Sequence, residues 1–182
     1  VKTEVSDQHS QQVSCLARHR GGRAAWLLLT DVDEFLYVGT RGGLPRLMHA
    51  FAHVPLANVT DLTFRNKWFG THGNQFLPSD FKTPADRWLS DYVWSAMQAT
   101  APWRTKVLAN VALAAAIDVH WVRSTFPTGA KMEQGSSQSR TVDGSVAFVA
   151  HLTDTRGTRM SEWDVNNPYL PDHRLVPLML RV

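Results

Sequence analysis

The chain has 182 residues, 43% hydrophobic and 19% charged, enough to bury one medium core and too apolar for a disordered segment. Nineteen Lys and Arg against 16 Asp and Glu leave a formal charge of +3, and the densest basic cluster, Arg18, Arg20 and Arg23, reads as a solvated helix end rather than a nucleic-acid arm. The single cysteine, Cys15, excludes an internal disulfide and a cysteine-based zinc site.

In chain order, Val13, Leu16 and Ala17 share one helical face between Asp7 and Arg20, and Gly21-Gly22 ends that helix. The continuous apolar run Ala24 to Leu29 predicts a strand buried on both faces of a parallel or mixed sheet. Arg41-Gly42-Gly43 marks a turn, and Leu44 to His53 reads as a helix with Pro45 in its first turn. Val59 to Phe64 alternates as a strand does, whereas Lys67 to Pro84, rich in Gly, Asn and Pro, reads as a long loop. Helical spacing returns from Ala85 to Ala99 through Trp88, Leu89, Tyr92, Val93 and Ala96, after the start signal Thr83-Pro84.

Lys106 to Val111 followed by Ala112 to Ile117 reads as a strand and a short helix, or as one helix; periodicity does not separate the two. At 11 residues with Asn110 inside it, Val107 to Ile117 is short of the roughly 20 that span a bilayer. Val119 to Val122 is extended, Gly129 to Gly144 is polar and weakly patterned, Val146 to Leu152 is a strand, and residues 154–182 form an irregular tail. Neither a repeat nor a linker interrupts the chain, so residues 1–182 are expected to form a single domain. It opens on Val with no charged-then-apolar leader, which reads as a fragment or a processed product; any membrane anchor would lie outside these residues.

Asp31-Val32-Asp33-Glu34, directly after the apolar strand, concentrates carboxylates that repel one another and resist burial. A hard divalent cation such as Mn2+ or Mg2+ resolves that repulsion, and such ions commonly arrive with a phosphate or diphosphate. Asp31 and Asp33 point the same way if the strand geometry persists through them.

The segment Trp26-Leu27-Leu28-Leu29-Thr30-Asp31-Val32-Asp33-Glu34-Phe35-Leu36 resembles the W-hhh-x-D-h-D-E-F-L signature, with h apolar, of glycosyltransferase family 92 and its bacterial relatives in the broader family 2-like group. Gln11-Gln12 and Cys15-Leu16 resemble the family's Q-x-x-x-x-C-L helix, and Trp68-Phe69-Gly70 with Gly73 is similar to its W-x-x-F-G-x-x-G loop. Lys106 with the apolar run up to His120 resembles a K-x-I-V…H segment, and His151 stands where the family has H-Y, with Leu152 here in place of the Tyr.

The resemblance implies an α/β, GT-A-like glycosyltransferase with a mixed, mostly parallel sheet flanked by helices. It would move a sugar, galactose in known plant and animal examples, from a uridine diphosphate donor to a glycan acceptor, in a Golgi or other secretory-pathway membrane if the source is eukaryotic. Only 30 residues precede Asp31, so the chain would be the metal and acceptor portion without the N-terminal nucleotide-binding half. Asp33 would hold a cation that neutralises the departing diphosphate. Asp31 would hold the ribose or a metal-bound water, and Glu34 would support both from behind. His120 or His151, each closing an apolar segment, would complete the metal site. Gly70 and Gly73 would let the backbone approach the donor. If transfer inverts the anomeric centre, Asp80 or Asp86 would accept the acceptor's proton, with Asp91 close by in sequence. Trp68, Trp88 and Trp121 are candidate glycan platforms.

Two alternatives belong to other classes. A strand followed by D-x-D also opens haloacid dehalogenase-like phosphatases, whose first Asp is a nucleophile, although Glu34 and Phe35 stand where those enzymes carry Gly and Thr. A noncatalytic carbohydrate-binding domain could keep the fold without turnover.

Overall fold

A computed structural model describes residues 4–39, 41–51, 59–70, 94–96, 104–118, 120–132, 138–152, 169–171 and 174. The first helix, α1, runs Glu4–His19 and carries Arg18 and His19 in its last turn, where cations complement the exposed carbonyls. Gly21, with φ of 79°, ends it as the sequence predicts. Strands β1 (Trp26–Leu28) and β2 (Glu34–Val38) follow, separated by the acidic segment, and then α2 (Gly43–Phe51).

The organising element is β3, Asp61–Gly70. Around it stand β4 (Trp94–Ala96), β5 (Thr105–Asn110), β8 (Ser139–Thr141), β9 (Ala147–Leu152) and β10 (Tyr169–Pro171), while β6 (Ala114–Ile117) and β7 (Val122–Thr125) form a separate antiparallel pair. β3 pairs antiparallel with β5 and β4, and parallel with β8 and β9. β5 carries β1, β9 carries β2 and β4 carries β10, all antiparallel.

Among the described residues the sheet is therefore mixed but mostly antiparallel, against the mostly parallel sheet expected. The mostly parallel order comes from the family resemblance; the unbroken apolar run of β1, which fits a strand buried on both faces of a parallel or mixed sheet, has another cause here. β1 is an edge strand whose alternate residues meet two cores: Trp26 and Leu28 pack on one, Leu27 and Leu29 on the other. Both faces are covered without a parallel neighbour.

Several boundaries also shift. β3 runs six residues past the strand end expected at Phe64 and into the predicted loop, because Asn66 to Phe69 find partners in β9. Residues 94–96, read as helix, form β4, held between β3 and β10; pairing on both edges outweighs helical spacing. Ala114–Ile117 is a strand rather than a short helix, Ser139–Thr141 is a strand within the weakly patterned segment, and Tyr169–Pro171 is a strand within the expected irregular tail.

Alternation along β3 sorts the two faces. Leu62 and Phe64 join Val59, Leu108, Val142, Ala147 and Val149 in a core capped by Leu47 of α2. On the opposite face Leu16 of α1 is fully buried with Ala109, Val111, Ala114, Ile117 and Val122, and farther along Phe69 packs with Phe148, Ala150 and Leu152. Arg20, one of the basic cluster, lies over the Phe126 ring at 4.1 Å and donates to the carbonyls of Val111 and Ala114, which ties the end of α1 to β6. Buried Asp61 accepts hydrogen bonds from the hydroxyls of Thr60 (3.0 Å), Thr63 (2.9 Å) and Ser139 (2.6 Å), which satisfies its charge and staples β3 to β8.

Candidate active site

On the face of β3 that begins with Leu62 and Phe64, the next two residues inward are Asn66 and Trp68, and here the apolar core gives way to polar side chains. Lys106 lies opposite Phe64 on β5, His151 lies beside Trp68 on β9, and Glu34 lies opposite His151 on β2. Strand register alone thus brings five chemically active residues from four strands onto one patch.

The acidic segment enters this patch as a turn. Strand β1 stops at Leu28, the Glu34 amide donates to the Asp31 carbonyl at 3.1 Å, and the Leu152 amide donates to the Asp33 carbonyl at 2.9 Å. The strand geometry that would have aligned Asp31 with Asp33 does not persist, and the two carboxylates have different partners. Asp31 Oδ2 meets Lys106 Nζ at 2.8 Å, whereas Asp33 Oδ2 meets His151 Nε2 at 3.1 Å.

Glu34 supports both sides. Its side chain is 1% exposed, its Oε2 meets Lys106 Nζ at 2.8 Å and accepts the Asp31 amide at 3.0 Å, and its Oε1 accepts from Asn66 Nδ2 at 3.1 Å. His151 Nδ1 lies 3.6 Å from the same Oε1. Trp68 backs the imidazole, with ring centroids 5.2 Å apart, and is itself backed by the Arg104 guanidinium at 5.3 Å. Buried at 6% exposure, Trp68 is a wall of the site and not the open glycan platform considered from sequence.

His120 takes another place. Its Nδ1 bonds the Thr105 carbonyl at 2.6 Å, and the Thr105 hydroxyl donates to the His120 carbonyl at 2.9 Å. That reciprocal pair locks the 120 region onto β5, and among the described residues His120 makes no ion pair with Asp31 or Asp33. Trp121 beside it is half-buried under the Arg123 guanidinium at 5.8 Å. Gly70 ends β3, opposite Trp94. Gly73, Asp80, Asp86, Trp88 and Asp91 lie outside the described residues.

A groove of about 430 Å3 opens beside the turn, between α1 and the end of β1, lined by Gln11, Gln12, Cys15, Arg18, Leu29, Thr30, Asp31 and Lys106. The helix residues that resembled the family pattern line this groove through Gln11, Gln12 and Cys15, while Leu16 packs in the core.

The comparison with known families decides between the classes. The profile of glycosyltransferase family 92 matches residues 1–179. The chain belongs to glycosyltransferase family 92. No curated protein matches it. Family 92 membership makes its chemistry glycosyl transfer, between a sugar donor and a glycan acceptor, and sets aside the phosphatase and the purely binding alternatives.

Within this family 92 chain, two contributors escaped the sequence reading of the site. The family pattern marks Lys106 by position and not as a counter-ion, although a lysine heading the apolar run Val107 to Ala109 needs a carboxylate partner if buried. Asn66 sat at the edge of a predicted loop, with no signal that it faces inward. Among the described residues no helix is long and apolar enough to cross a membrane.

Proposed function

We propose that this protein is a divalent-cation-dependent, GT-A-like transferase that moves a sugar such as galactose from a uridine diphosphate donor to a glycan, with Asp33 and His151 as its cation ligands. The observation that carries this is the Asp33–His151 contact at 3.1 Å at the rim of a charged patch, with the far nitrogen of the imidazole turned toward buried Glu34.

The donor set suits the ion. A ligating histidine characteristically presents one nitrogen to the metal and the other to a carboxylate that orients it; Nε2 and Glu34 fill those two roles. Asp33 is 47% exposed, so its oxygens are open to a ligand entering from solvent. Among the described residues no three His, Cys, Asp or Glu side chains converge on one point. Two protein ligands are the number expected of an Mg2+ or Mn2+ site that completes its shell with water and substrate phosphates. When bound, the ion supplies Lewis-acid neutralisation of charge on the departing diphosphate.

The chain's own residues do the rest. Glu34 holds the His151 ring in place, Trp68 limits its rotation, and Lys106 offsets the negative charge of Asp31 and Glu34. Asp31 faces the groove with Gln11, Gln12 and Thr30, a set of donors and acceptors suited to ribose hydroxyls. Gly70 and Gly73 would allow close backbone approach to the donor, and Asp80 or Asp86 would serve as base for the acceptor hydroxyl. The site of action would be a Golgi or other secretory-pathway membrane, as for anchored members of the family.

The test is calorimetric titration of the protein with uridine diphosphate, with and without Mn2+. Binding is expected to need the ion, and Asp33→Ala is expected to weaken it roughly tenfold or more. Equal binding with and without Mn2+ would contradict cation dependence.

A further inference from the structure

Lys106 is an ammonium with 2% exposure between two carboxylates, Asp31 Oδ2 and Glu34 Oε2, each at 2.8 Å. Asp31, by contrast, is 51% exposed. If Asp31 rotated onto a cation, Lys106 would lose one of its two partners in a place where solvent cannot replace it, and buried charge left uncompensated is strongly unfavourable. Glu34 cannot make good the loss, since its Oε2 already takes both Lys106 and the Asp31 amide and its Oε1 takes Asn66. Asp33 has no such commitment to Lys106.

We propose that Lys106 is the positioning residue of the acidic turn: by binding Asp31 and Glu34 it withholds both from the metal and leaves Asp33, with His151, as the cation-holding edge. The two aspartates of the motif therefore do different work, one facing a lysine and a groove, the other facing a histidine and the ion. This rests on the reading that Asp33 and His151 hold a divalent cation. The family resemblance implies different roles for the two aspartates; the Lys106 contacts to Asp31 and Glu34 supply a physical cause for that difference.

The experiment is Mn2+ binding to the full chain, with the metal alone as probe and free Mn2+ followed by electron paramagnetic resonance. Asp33→Asn is expected to weaken binding about tenfold or more, since it removes a ligand. In the native background Asp31→Asn should change affinity less than about twofold, whereas in Lys106→Met, where Asp31 is released toward the ion, it should cost about fivefold or more, a coupling of the size contacting residues show. Lys106→Arg, which keeps the charge, should restore the native pattern. A merely structural lysine would lower stability in Lys106→Met without changing what Asp31→Asn does. An Asp31→Asn effect as large as that of Asp33→Asn in the native background, or an equal effect of Asp31→Asn in both backgrounds, overturns the proposal. Indifference to Asp33→Asn overturns the cation reading itself and shows in that separate arm. Should Lys106→Met fail to fold by circular dichroism, the two Asp variants in the native background decide alone.

Discussion

Each oxygen of Glu34 has two neighbours, Oε2 with Lys106 and the Asp31 amide, Oε1 with Asn66 and the His151 ring. Its removal leaves a buried lysine beside a half-exposed aspartate. Glu34→Ala is therefore expected to destabilise the fold by about 3–5 kcal/mol, the cost of breaking a buried pair by deleting one partner, measured by urea denaturation with the native chain as reference. The exposed pair Arg123–Asp118 offers the contrast: Arg123→Ala should change stability by about 1 kcal/mol or less, because solvent screens the 51%-exposed guanidinium. The acidic motif was legible in sequence because carboxylates at that density are rare beside an apolar strand. Their partners were not, because Lys106 and Asn66 become neighbours of Glu34 only through strand pairing that no local pattern encodes. Among the histidines, sequence placed His120 and His151 alike at the ends of apolar segments; what separates them is that β9 pairs with β2 and carries His151 onto Glu34.

At the scale of elements, fully buried Leu16 and, just past the helix end, Arg20 anchor α1 among the described residues. Leu16 fills the core between α1, β5 and β6, so Leu16→Ala is expected to cost about 2–5 kcal/mol, read from the shift in urea midpoint at unchanged slope. Because α1 forms one wall of the groove, the same variant should also weaken nucleotide binding, while Asp33, in the turn just before β2, and His151, on β9, stay in place. Helix α1 was legible from its apolar spacing and its Gly21-Gly22 end, and α2 from Pro45 and the preceding glycines. Strands β4 and β10 were not: they are three residues each, and their reason for existing is that they pair with one another and with β3. Short strands stabilised by neighbours carry too few residues for periodicity to register.

For the molecule as a whole, β3 is the element that connects the helices' cores to the chemistry. Along one of its faces the apolar core under α2 passes into Asn66 and Trp68 and so into the acidic turn. Packing stability and site geometry are therefore borne by the same strand. The α/β class was legible from alternating strand and helix signals. The mostly antiparallel order was not, because an edge strand covered on both faces and a central parallel strand present the same apolar run. The most direct test of the proposed cation site is crystallographic: Mn2+ and uridine diphosphate bound to the crystalline protein, with the ion located by its anomalous signal. The expected result is one peak coordinated by Asp33 and His151, with Lys106 still on Asp31. A peak bridging Asp31 and Asp33 with Lys106 displaced, or an ion on the diphosphate that touches neither Asp33 nor His151, would contradict it.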